Sequence, residues 1–156
     1  MSGWYNAVVN DMGAIIATIE HYETELSEAK AECRISGSLE RASAALPGVT
    51  EHRFNQLQEI EAILEHLNIK LRKERSKVFR QYLEHYNRQL SSRDAEKYVD
   101  GEDAVITLTE LVNSMSLLRN KFLGVMKGLD QKSWQMGNIT RLRTAGMEDI
   151  KIEHWH

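Results

Sequence analysis

A chain of 156 residues with one cysteine and one proline has given up several ways of folding. Cys33 alone forms no intrachain disulfide and builds no thiolate zinc cage. One proline and nine glycines are too few for an all-β sandwich or barrel, which needs a turn every 8–12 residues or so. No run approaches about 18 consecutive apolar residues, so no membrane span is expected. Met1–Gly13 shows neither the basic start nor the cleavage site of a signal peptide, and a cytoplasmic location is the expectation. The 20 Lys+Arg against 23 Asp+Glu leave a net charge of −3, which excludes a globally basic nucleic-acid binder but not a local basic patch.

Catalytic motifs are missing as well. There is no glycine-rich phosphate loop, Walker motif or H-E-x-x-H. A di-iron bundle needs Glu-x-x-His pairs on facing helices, and only Glu153 and His156 have that spacing. A reactive Cys33 would need positive surroundings, whereas Glu28 and Glu32 precede it. The chain is expected to be no enzyme and to hold no cofactor or metal.

What is present is helical periodicity. Val8, Met12, Ile15, Ile19, Tyr22, Leu26, Ala29 and Cys33 follow at alternating steps of 4 and 3, an a/d seam over four heptads. This predicts one helix over Asn6–Arg34, with Cys33 as the last small residue of the seam. Ser36-Gly37-Ser38 stops it, and Pro47-Gly48 punctuates again before Thr50, a plausible N-cap. Leu39–Leu46 has room for one or two helical turns. Leu57, Ile60, Leu64, Leu67 and Leu71 restart the seam, widening into Val78, Phe79, Tyr82, Leu83 and Tyr86, for a helix over Glu51–Gln89. At about 1.5 Å per residue such a rod is about 58 Å long and needs a partner helix or a second subunit. Ser91 stands three residues before Asp94 in capping-box spacing, predicting a short helix over Asp94–Tyr98 and a turn over Val99–Asp103. Val105, Leu108, Val112, Met115, Phe122, Met126 and Leu129 form the next seam. Ser133 is read as N-cap of a last helix, Trp134–Thr144, closed by Gly146, with Trp134 buried against the Val105–Leu129 seam. The fold expected is all-α: long helices in a bundle or coiled-coil hairpin with shorter C-terminal helices, oligomeric because its seams exceed what one copy covers. It is a single helical domain with an acidic helix and linker over 1–46, a core over 51–146 and a tail over 147–156.

The charge is segregated. Met1–Ile69 carries 4 basic and 11 acidic side chains, Lys70–Arg93 carries 8 basic and 2 acidic, and Gln131–Gly146 carries 3 basic and none acidic. Lys70, Lys73, Lys77, Arg80 and Arg88 fall within about 80° of the helix circumference, along about 27 Å and nearly opposite Leu64, Leu71, Val78, Tyr82 and Tyr86. One reading is a phosphate track; the other is a solvated face balanced by acidic neighbours. Tyr82 and Tyr86 lie on the apolar side and are not assigned to base stacking.

Asn68–Gly146, about half the chain, resembles the UvsY-type recombination mediators of tailed phages. The resemblance is carried by Leu129-Asp130-Gln131-Lys132-Ser133-Trp134-Gln135-Met136-Gly137-Asn138-Ile139-Thr140-Arg141-Leu142-Arg143-Thr144-Ala145-Gly146, similar to that family's ending. It is carried also by the basic, Tyr-bearing Lys70–Tyr86 segment and by the acidic break Tyr98-Val99-Asp100-Gly101-Glu102-Asp103. The acidic Met1–Leu46 region departs from that pattern. The resemblance implies rings of identical subunits, without nucleotide hydrolysis, that bind single-stranded DNA and help a recombinase replace single-strand-binding protein. It places DNA binding on Lys70, Lys73, Lys77 and Arg80, with Arg141 and Arg143 as secondary positions. The competing expectation is a coiled-coil interaction or scaffold protein, such as a host-factor inhibitor, with no nucleic-acid role and no use for the basic stripe.

Overall fold

The computed structural model describes residues 3–85 and 90–147, and among them every regular element is helical. Five α-helices follow in order: α1 Gly3–Asn10, α2 Ile15–Glu32, α3 Leu39–His85, α4 Ser92–Asp100 and α5 Asp103–Thr144. The 47-residue α3 and 42-residue α5 are each about 60–70 Å long and form an antiparallel hairpin. Val78 packs with Val105 at one end of it, while Leu46 and Leu129 share a groove at the other. α4 turns the chain between them.

The first seam is covered by folding back on the hairpin. α2 lies along α5, Tyr22 meeting Phe122 edge-on at 6.1 Å between ring centroids. Val8, Ile15, Tyr22, Leu26 and Ala29 are buried in one core with Leu57, Ile60, Ile63, Leu64, Leu67, Met115, Leu118, Phe122, Val125 and Leu129. Each such Leu or Ile stabilises the fold by about 1.5–3 kcal/mol. A second, smaller core sits at the far end, where Val78, Val99 and Val105 are buried against Leu71, Phe79 and Tyr82. Both seams expected to need another subunit are thus covered within one chain, because α5 is long enough to span them.

Three boundaries differ from the sequence expectation. The helix predicted over Asn6–Arg34 is broken at Asp11, whose backbone is extended (φ −146°, ψ 111°) and whose carboxylate accepts the Gly13 N–H, leading through a 3-10 turn at Met12–Ala14. Asparagine and aspartate compete with the helix in this way. Pro47-Gly48 makes no break, and Thr50 caps nothing. α3 starts at Leu39 and passes through Pro47, whose fixed φ suits a helix. The hydrogen bond it forfeits is to the carbonyl of Ser43, an exposed residue whose carbonyl water can satisfy. Ser133 likewise caps nothing: the seam continues through Leu129, Lys132, Met136 and Ile139 without a slip, so α5 is one helix rather than two. Trp134 lies off that seam and is 66% exposed, not buried. Other signals hold. Gly37 takes φ +69° in the turn before α3, and the Ser91 hydroxyl accepts the Asp94 N–H. Gly146, at φ +79°, ends α5 with Met147 N–H bonded to the Leu142 carbonyl.

α2 is fastened to α3 by Arg53, a residue only 2% exposed. Its Nε and Nη2 donate to Glu32 at 2.8 Å each, and Nη1 to Glu25 at 2.7 Å and Gln56 at 2.9 Å. The Gln56 amide at 2.6 Å holds Glu25 below the usual carboxylate range, with Arg53 adding to it against the cost of burial. Arg53 does the same for Glu32. On the other side of α2, Lys132 of α5 donates its ammonium to the Glu32 carbonyl at 2.7 Å.

Arg53→Met leaves two partly buried carboxylates without their counter-ion, a loss of about 3 kcal/mol in chemical denaturation. Because both carboxylates are depressed, this stability is complete above about pH 4.3 and is lost as acid titrates them. The variant should therefore show a shallower acid limb, and an unchanged limb would remove the role given to Arg53. Glycines on α5 supply a second contrast. A Cβ on Gly128 would lie 2.8 Å from the Cys33 sulfur and 3.4 Å from its Cβ, whereas one on Gly124 meets nothing within 4 Å. Gly124→Ala should gain up to about 1 kcal/mol of helix propensity, and Gly128→Ala should lose about 1–2 kcal/mol by overpacking. Equal thermal shifts would contradict the packing of α2 on α5.

Candidate nucleic-acid interface

Beyond Leu67, α3 leaves the larger core and keeps only one side covered. Val78 is buried, and Leu71, Phe79 and Tyr82 are partly so, against α4 and the start of α5. On the other side Lys73, Lys77 and Arg80 are exposed and Lys70 is half-buried. Lys73, Ser76, Lys77, Arg80, Gln81 and Glu84 line a shallow groove of about 360 Å³. Spacings of 3 and 4 residues put these cations above one another on one face.

The structure sorts the basic residues of this part of the helix into two groups. Arg72 pairs with Glu65 at 2.8 Å, and Arg75 pairs with Asp100 of α4 at 2.5 Å. Both arginines lie outside the Lys70–Arg80 stripe, each with a carboxylate beside it. Within the stripe, Lys77 has only Glu74 at 3.8 Å, one turn away. Lys70, Lys73 and Arg80 have no carboxylate within 4 Å among the described residues. Such a row raises the local positive potential, offset at Lys77 by Glu74. His66, one turn before Lys70, registers that potential: burial lowers its pKa, and Lys70 and Lys73 lower it further. Its Nε2 is buried without a hydrogen-bond partner.

Of the other predicted positions, Arg88 lies outside the described residues. Arg141 and Arg143 are exposed in the last turn of α5, where cations complement the helix dipole. Val105 packs with Val78 and Arg141 is 36 residues further along α5, so about 54 Å along the hairpin separates Arg141 from the Val78 end of the stripe and about 42 Å separates it from Lys70. They are not parts of one site in a single copy. Tyr82 stacks on Tyr98 with centroids 5.4 Å apart, and its hydroxyl donates to Glu102. It belongs to the α3–α4 packing, as its place on the apolar side predicts. The pairing of Arg72 and Arg75 went unnoticed in the sequence. Helical geometry alone sets both off the stripe, but Asp100 reaches Arg75 only through the turn of α4.

The chain matches no protein-family model, and no curated protein or solved structure proves similar to it. Among the described residues no helix is long and apolar enough to cross a membrane, and no cluster of His, Cys, Asp or Glu has the arrangement of a metal site.

The histidine supplies a direct reading of the stripe's potential. Replacing Lys70 and Lys73 by alanine should raise the His66 pKa toward the ordinary value of about 6.5, measured by proton NMR titration of its ring. A pKa that does not move would place the two lysines too far from His66 for the arrangement described.

Proposed function

We propose that this protein binds single-stranded DNA along Lys70, Lys73, Lys77 and Arg80 and acts as a recombination mediator, helping a recombinase replace single-strand-binding protein. The observation that carries the binding is a row of four cations of which Lys70, Lys73 and Arg80 have no carboxylate within 4 Å among the described residues, beside Arg72 and Arg75, which are both paired. Flexible lysines on a smooth helix meet phosphates and offer no geometry for reading bases, so little sequence preference is expected. The mediator role rests on the resemblance of Asn68–Gly146 to UvsY-type proteins, in which the same segment is basic.

Assembly of identical subunits is part of this reading. A groove of about 720 Å³ between α3 and α5, on the side away from α2, is lined by Leu46, Pro47, Phe54 and Met126 among others. Phe54, Leu123 and Trp134 are exposed on these two helices. Apolar side chains gathered on one face are what a subunit contact uses. The same groove also suits the scaffold reading, in which a partner helix fills it and the stripe is idle.

Fluorescence anisotropy with labelled oligo-dT at three salt concentrations separates the two. Each phosphate neutralised contributes about 0.7 to the log–log salt slope for single strands. Lys73→Ala with Lys77→Ala should therefore flatten the slope by about 1.4 per engaged subunit and weaken every sequence alike, with the mass in light scattering unchanged. A slope identical to the parent's would move the strand off α3, and absence of binding would leave the scaffold reading. Light scattering at 18.0 kDa would remove the oligomer.

A further inference from the structure

A second site lies in the acidic half of the molecule, where no strand of DNA is welcome. Between α1, α2 and the first half of α3 runs a cleft of about 710 Å³, walled by Trp4, His21, His52, Asn55, Gln58 and Glu59. The Trp4 indole is stacked on His21, with centroids 4.7 Å apart and planes 21° from parallel. Glu59 accepts the Tyr5 N–H through Oε1 at 3.0 Å, which fixes α1 in place, while Oε2 has no partner among the described residues. The amide groups are oriented by their neighbours. Asn55 donates its NH2 to Glu51, and Gln58 donates its NH2 to Glu61. What remains for a ligand from each is a carbonyl oxygen and one amide N–H. No lysine or arginine lines the cleft, and the adjacent Arg53 is buried and saturated by Glu25, Glu32 and Gln56.

We propose that this cleft docks an arginine-bearing segment of a partner protein. The unspent acceptors are one carboxylate oxygen and two amide carbonyls. They lie beside an aromatic stack in a region where Met1–Ile69 carries 11 acidic against 4 basic residues. A guanidinium is a donor-only group whose plane stacks on aromatic faces and whose N–H fork matches a carboxylate. A phosphate or carboxylate would lie against the Glu59 charge with no lysine or arginine in the lining to offset it. The site is independent of the DNA stripe, since it lies on the other half of α3 and uses none of its lysines.

The test is anisotropy of a fluorescein-labelled Gly-Arg-Gly-Arg-Gly peptide on the full chain at physiological salt, beside the same peptide with citrulline for arginine. The arginine peptide should bind saturably and the citrulline peptide at least ten-fold more weakly. Glu59→Gln keeps an oxygen for the Tyr5 N–H and removes the charge, and it should weaken binding at least five-fold, as should Trp4→Leu. Glu23→Gln removes the same charge from an exposed position outside the cleft and should change it less than two-fold. The Lys73→Ala, Lys77→Ala protein should bind the peptide like the parent. Circular dichroism checks that each variant keeps its helices, and if Trp4→Leu loses them, Glu59→Gln decides alone. Equal effects of Glu59→Gln and Glu23→Gln would mean attraction to a general acidic surface and overturn the site. Absence of saturable binding would overturn it too, as would displacement of the peptide by oligo-dT from the stripe-deficient protein, which would make a base the occupant.

Discussion

Glu32 is where the three helices of the bundle are held to one another. Its carboxylate takes two hydrogen bonds from Arg53 of α3, and its backbone carbonyl, at the end of α2, takes the ammonium of Lys132 of α5. A helix end needs partners for its last carbonyls and favours a cation there, so one residue closes α2 and aligns it with both long helices. Apolar seams alone would let α2 slide by a turn against the hairpin with little change in buried area. The charged network admits one register. That register sets Tyr22 on Phe122 and Cys33 into the space left by Gly128.

The register also arranges charge. α2 lies along the first half of α3, and Arg53, which joins them, faces inward. The run of basic residues that starts at Lys70 lies on the later part of α3. The net charge of −3 hides this segregation.

Much of the fold was legible because it rests on period and on local chemistry. The seams over 8–33, 57–71 and 105–129 are the buried faces, and Ser91 starts α4 and Gly146 ends α5 as the side chain of one, and the lack of one in the other, dictate. The misreadings came from punctuation weighed without tertiary context. Pro47 was given the strength of a break it lacks on an exposed helix, while Asp11 outweighed an unbroken seam through a single side-chain hydrogen bond. Ser133 and Trp134 looked like a helix start only because the seam position between Leu129 and Met136 is filled by the stem of Lys132, which does not read as apolar. The stripe of the candidate DNA site lies on one helix and was visible as a pattern. The cleft around Trp4 draws on three helices, and nothing in the spacing of Trp4, His21 and Glu59 announces that they meet.

The two cores are unequal, and the smaller lies at the end of the hairpin that carries the lysine row. The larger holds fifteen buried side chains and the smaller three, Val78, Val99 and Val105. Segments with few buried apolar contacts open at a lower free energy than the molecule as a whole. Amide hydrogens of α4 and of α3 beyond Leu71 should then exchange through a local opening that leaves α1, α2 and the rest of the hairpin closed. The lysine face is carried by the part of the rod that unzips first. A polyanion lying along that face would draw repelling lysines together on the helical form and hold the tip shut, so ligand occupancy and the folding of one end of the hairpin are a single equilibrium.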